Sequence, residues 1–113
     1  MNQDLHRRLK VLRLRQRVEM CSWTIYIACF RLPDRLRRHS NVDRRLALLP
    51  AWATHDQDYH ALRATASLLY WVYSQCCDVL HGRRAYTELP DPLVTAWTKI
   101  VEEGETIVTS RCT

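Results

Sequence analysis

Glycine is almost absent from this chain: Gly82 and Gly104 are the only two in 113 residues. β-Hairpins, phosphate-cradling loops and dinucleotide fingers all need backbone that glycine adopts most cheaply. A turn-rich β protein, a P-loop and a Rossmann finger are disfavoured on that ground. Abundant Leu, Arg and Ala favour helix instead. The hydrophobic fraction of 47% suits a packed core rather than disorder. At this length one domain is expected, burying about two-thirds of its unfolded surface. The sequence therefore predicts an all-α fold, a compact bundle of about five helices around a hydrophobic central one.

The periodicity locates those helices. Asp4 to Arg17 sets Leu5, Leu9 and Leu12 at spacings of four and three, with the basic residues mostly off that line. Cys21 to Arg31 repeats Trp23, Ile27 and Phe30, widened by Ile25 and Cys29, and Pro33 stops it. Asp34 to His39 reads as a short basic turn or loop. Ser40 suits the N-cap of a third helix with Val42, Leu46 and Leu49 inward, ended by Pro50. Thr54 to Leu80 carries the strongest pattern: Tyr59, Leu62, Ala66, Leu69, Tyr73, Cys76 and Leu80. Leu68, Trp71, Val72 and Val79 make its second half apolar nearly all round, as in a helix at a domain centre. Gly82 fits its C-terminal stop, with Arg83 and Arg84 near the negative end of the dipole. Asp91 and Pro92 fit the cap and first position of a last helix, with Leu93, Trp97, Ile100 and Val101 inward. Gly104 is expected to end it. Residues 1–105 thus read as one helical domain and 106–113 as a flexible tail.

Charge is distributed unevenly along these helices. Residues 1–45 hold twelve Lys/Arg against four Asp/Glu, a net of +8, while the remainder holds five against eight, a net of −3. Such an asymmetric field points to a polyanionic partner, nucleic acid or an acidic membrane surface. Fifteen of the seventeen basic residues are arginine, whose planar fork grips phosphate in a way lysine cannot. The longest nearly apolar run, Ala64 to Tyr73, is about half the ~20 residues that cross a bilayer. No signal peptide is apparent, and the Met-Asn opening lacks the glycine that N-myristoylation needs. Five cysteines, an odd number without a CxxC pair, suit a reduced intracellular setting and packing as small core residues.

Several short segments also resemble a known family. Met20-Cys21-Ser22-Trp23-Thr24 is similar to the Asn-Cys-x-Trp-Ala segment that opens the second helix of some lentiviral Gag matrix domains. His60 to Tyr70, continuing to Ser74-Gln75-Cys76, resembles the family's central helix. Trp97-Thr98-Lys99-Ile100-Val101-Glu102-Glu103 resembles its acidic last helix. The resemblance covers about residues 4–105, through short motifs, none of them catalytic. It implies a matrix-like structural protein that attaches peripherally to acidic phospholipid on the inner face of the host plasma membrane and supports virion assembly. RNA is then a competing ligand, trimeric self-association is expected near Arg44 to His55, and the envelope protein tail is a further partner. The phosphate-binding residues matched by position are Arg7, Arg8, Lys10, Arg13, Arg15 and Arg17. Arg37 and Arg38 extend the patch, although no family motif carries them. Two departures stand out. The chain lacks the myristoylation glycine of many members, and the family's basic hairpin between the first two helices is shortened here to about Gln16 to Met20.

Each Lys/Arg near an anionic leaflet contributes on the order of 1 kcal/mol, so six to eight supply several. The alternative from another class is a small Arg-rich nucleic-acid-binding or regulatory protein using the same patch on backbone phosphates. A helical adaptor for an acidic protein is a third. Single-stranded nucleic acid needs aromatic platforms, and the first forty-five residues offer only Trp23, Tyr26 and Phe30. Cys77 and His81, one helical turn apart, are too few for a zinc site, and packing is their default role. No motif activates a cysteine, and His55-Asp56-Gln57-Asp58 reads as an acidic helix start. No catalytic residue, cofactor or metal site is expected. Trp23, Trp71 and Trp97 read as core. Trp52, outside clear periodicity, is either an exposed anchor or a lid on the core.

Overall fold

The computed structural model describes residues 2–30, 40–83 and 89–112, with side chains from Leu5 onward. These residues form four α-helices rather than five, together with a 3-10 turn. The helices are α1 (Asn2–Phe30), α2 (Val42–Leu46), α3 (Asp56–Leu80) and α4 (Asp91–Cys112), and the 3-10 turn spans Leu49–Trp52. No strand occurs among the described residues.

The first two expected helices are one. No glycine or proline interrupts residues 2–30, so nothing in the backbone breaks the 29-residue run. The family's interhelical hairpin has no counterpart at Gln16 to Met20. The inward face also differs from the expected one. Val11, Leu14, Val18, Cys21 and Ile25 are buried, at spacings of three and four. Leu5, Leu9, Ile27 and Phe30, expected inward, are exposed. Both lines of residues have helical spacing, so periodicity alone does not choose between them. The choice comes from packing, because only the Val11–Ile25 line can close on α2, α3 and α4 together.

Capping places the other elements. Asn41, not Ser40, starts α2, its side chain accepting from Arg44 N at 2.8 Å. Pro50 does not end α2 but lies early in the 3-10 turn, where a missing N–H costs little. His55 Nδ1 accepts from Asp58 N at 3.2 Å and caps α3. At the other end of α3 Gly82 takes φ +76°, and two bonds close the last turn: Gly82 N to Val79 O and Arg83 N to Asp78 O. That is a Schellman stop, which needs the left-handed residue glycine supplies. The carbonyl of Pro90 accepts the first amides of α4. Arg84 lies outside the described residues.

Helices α1 and α4 run parallel, tied by Arg7 to Asp91 and Arg17 to Glu105, while α3 runs antiparallel to α4. The core lies between them: Leu62, Ala66, Leu69, Val72, Cys76 and Val79 of α3 meet Val94, Trp97, Val101 and Val108 of α4. Tyr59, Leu68 and Trp71 of α3, expected within apolar stripes, are exposed at their edges, and Trp71 meets buried Trp97 edge-on. Trp52 is partly buried against the core as a lid, and its carbonyl accepts from Arg111 at 3.2 Å. The cysteines are free. Burial pushes the thiol of Cys76 up to about 12 and those of Cys21 and Cys112 up to about 11.

Helix α4 does not stop at Gly104; it continues through 106–112, with Val108 and Cys112 buried. The tail expected there is the second half of a core helix. Gly104 serves close approach instead: a Cβ at this position would lie 2.6 Å from Leu69 Cδ2. The far end of α4 is clamped to the start of α3. Both Arg111 guanidinium nitrogens reach the Asp58 carboxylate at 2.7 Å, and Thr54 N donates to the same group at 3.0 Å.

These contacts set the response to substitution and to acid. Gly104→Ala destabilises by about 1–3 kcal/mol in a chemical denaturation curve, because fully buried Leu69 has no room to yield. In a Leu69→Ala background the same change stabilises by about 0.5–1 kcal/mol, since alanine is the better helix former once the leucine is gone. The Arg111 guanidinium holds the Asp58 carboxyl well below the usual carboxylate range. Folded Asp58 thus binds its proton less readily than unfolded Asp58. Its contribution is complete above about pH 4 and is withdrawn as pH falls below that. Thermal melts of Asp58→Asn start lower at neutral pH and lose less than wild type between about pH 4 and pH 2.

Candidate phosphate-binding groove

The first third of α1 lies beside the first half of α4 and leaves an open groove of about 780 Å³ between them. His6, Arg7, Lys10, Arg13 and Arg17 line one wall; Asp91, Thr95, Thr98, Lys99 and Glu102 line the other. Positions 6, 10, 13 and 17 follow the helical repeat, so one face of α1 delivers them in a row. Five Lys/Arg therefore stand against two lining carboxylates, with two threonine hydroxyls nearby. The parallel arrangement of α1 and α4 brings two helix N-termini to this end of the molecule and adds their partial positive charge.

The cations of α1 do not act alike. Arg8, Lys10 and Arg13 are exposed and make no ion pair with another described residue. Arg7 is turned to Asp91 at 3.3 Å. Arg17 is held by Glu105 through two bonds, the Nε–Oε2 one at 2.9 Å, and that hydrogen bonding raises its pKa. Arg15 leaves the group altogether. It points to α3, where it pairs with Glu19 at 3.3 Å and lies 5.8 Å from the Tyr73 ring centre. Of the residues expected from sequence, Arg7, Lys10, Arg13 and Arg17 come together at the groove, Arg8 flanks α1 on its other side, and Arg15 stands apart. Arg37 and Arg38 lie outside the described residues.

Two further groove residues, Lys99 and His6, are not evident from sequence. Lys99 belongs to a helix more than eighty residues away, and no local pattern joins it to α1. His6 has the right spacing from Lys10, and that spacing is the signal that could have found it among the arginines. The opposite error concerns Arg45, counted in the basic N-terminal charge. It is buried, with its guanidinium 3.9 Å over the Trp23 ring, Nε donating to Ser22 Oγ at 2.9 Å and Nη1 to the Ser40 carbonyl at 2.9 Å. Burial lowers its pKa, and among the described residues no carboxylate pairs with it. Arg45 is a structural peg between α1 and α2, unavailable to an outside phosphate. Among the described residues no group of three or more His, Cys, Asp or Glu side chains is gathered to hold a metal ion.

Arg45→Ala is expected to destabilise the fold by about 2 kcal/mol, the scale of a desolvated cation–π contact. Arg45→Lys recovers less than half of that in denaturant titration, because an ammonium cannot stack flat on Trp23 while reaching both Ser22 and Ser40. Comparison of the chain with protein-family models, with curated proteins and with solved structures finds no match.

Proposed function

We propose that this protein attaches peripherally to acidic membrane surfaces through the cationic groove between α1 and α4. It would act there as a structural, matrix-type component of a retroviral Gag assembly at the inner face of the plasma membrane and in the virion. The observation that carries the membrane part is the make-up of the groove: five Lys/Arg and two threonine hydroxyls against two carboxylates, with His6, Leu14 and Val94 between them, and no Phe, Tyr or Trp. Phosphate-bearing head groups fit such a lining. Single-stranded RNA gains much of its affinity from stacking on aromatic rings. Trp23, Tyr26 and Phe30 lie at the far end of α1, some fifteen ångströms or more from Arg13 at about 1.5 Å per residue. RNA competes for the same cations through its backbone alone, and a small Arg-rich nucleic-acid-binding protein is the rival.

The matrix part rests on the sequence motifs and on the succession of a basic first helix, a hydrophobic α3 and a Pro-started last helix. The uninterrupted α1 departs from it. Self-association as a trimer and contact with an envelope tail belong to that part of the proposal. Exposed cations contribute on the order of 1 kcal/mol each near an anionic leaflet, and many copies in one shell multiply the effect without new contacts.

Co-sedimentation with vesicles of phosphatidylserine and phosphatidylcholine tests the attachment. Reversing Lys10, Arg13 and Lys99, all exposed in the groove, to Glu lowers the partition coefficient by about 100-fold or more at low salt. Arg63→Glu, an exposed reversal on α3, leaves it within about threefold. Unchanged pelleting of the triple variant rejects the patch, and tight RNA binding without vesicle binding selects the rival.

A further inference from the structure

Helix α1 has a second side that the groove does not use. Taken at about 100° per residue, the positions opposite the buried Val11–Ile25 line carry Leu5, Leu9, Met20 and Ile27, with Phe30 beside them. All five are exposed large hydrophobic side chains, Leu5 at 58% and Met20 at 67%. From Leu5 to Phe30 the sole acid is Glu19, and it is turned away, paired with Arg15 and within hydrogen-bonding reach of the Tyr73 hydroxyl at 3.4 Å. The outward side of a helix of about 40 Å is therefore free of carboxylates and mostly apolar, interrupted by the uncharged Gln16, with Arg8 on one flank and Lys10 and Arg13 on the other.

We infer that α1 lies in the plane of the membrane interface and inserts this apolar line among the lipid acyl chains, which rests on the attachment proposed above. A helix with an apolar strip between Lys/Arg flanks, and low hydrophobicity overall, has the make-up of an interfacial helix rather than a spanning one. No described helix is long and apolar enough to cross a membrane. The core already holds α1 folded along its other side, so no ordering cost opposes insertion. Charge complementarity selects lipid over a second copy of the chain. Pairing two α1 helices in parallel sets Arg8, Lys10 and Arg13 against their own counterparts. Pairing them antiparallel sets those cations against Trp23, Ile27 and Phe30, with no carboxylate to meet them. Acidic head groups neutralise the flanks, and the acyl boundary takes the leucines.

The test uses the intact chain and the same acidic vesicles. Leu9→Ser with Ile27→Ser changes two exposed positions, so the fold is retained, as circular dichroism checks. Partition falls about tenfold, and the binding that wild type keeps at about 0.5 M NaCl, where electrostatics are largely screened, disappears. A second variant, Met20→Trp, adds an indole on the strip. Its extra emission shifts to the blue on vesicle binding and is quenched by lipids brominated on their acyl chains. Binding and salt response equal to wild type in the double serine variant, or no quenching of the added indole, overturns insertion while leaving the charge-driven attachment standing. Loss of vesicle binding by wild type itself removes both proposals. A dimer in analytical ultracentrifugation that the serine variant abolishes, with vesicle binding unaltered, reassigns the strip to a second copy.

Discussion

One line of side chains on α1, from Val11 to Ile25, holds the molecule together. It is the seam on which α2, α3 and α4 all close. Because α1 is a single rigid rod, fixing that seam fixes the outward direction of every other residue on it. Lys10, Arg13 and Arg17 turn toward α4 and build the groove wall, Arg15 turns to α3, and Leu5 and Leu9 are left facing out. The exposed leucines and the clustered cations are thus two results of the same choice of rotation. Repositioning the seam by one residue would turn the helix by about 100° and disperse both.

Net charge read along a chain overstates what a surface can offer. The N-terminal segment carries +8, yet several of its cations are engaged inside the protein. Arg45 is taken up by Trp23, Ser22 and Ser40, and Arg17 by Glu105 from α4. Arg7 and Arg15 each face a carboxylate. What remains accessible is a smaller set, Lys10, Arg13 and Lys99 at the groove and Arg8 on the other side of α1. The acids of the C-terminal half, remote in sequence, act as internal counterions that hold the helices in place. This division of labour suits arginine, whose fork serves a buried bidentate pair and an exposed phosphate contact equally well.

The helical class and the glycine stop at Gly82 were both legible in the sequence, because each rests on local chemistry. Other features were not. The two apolar lines of α1 have equal claim by spacing, and only the tertiary partners decide between them. The break expected between Arg17 and Cys21 had no glycine or proline behind it. Gly104 reads as a stop because glycine usually ends helices, whereas here Leu69 from α3 needs the space a side chain would fill. The groove was half legible: its α1 wall follows a helical repeat, while Lys99 and the threonines come from α4 through packing alone. Burial of Arg45 had no signal at all, since Asp43, Arg44 and Arg45 look alike as a charged turn.

The parallel course of α1 and α4 has one more effect. Aligned peptide dipoles of two long helices reinforce one another, while the long helix α3 opposes them, and the exposed cations of α1, Arg8, Lys10 and Arg13, sit toward the same positive pole. The molecule is therefore electrically lopsided along its length. Near a negatively charged sheet such a body feels a torque as well as a pull, within about a Debye length. It rotates so that the amino-terminal pole leads before any atom touches. Encounters then arrive already oriented, and fewer collisions are wasted on the wrong side.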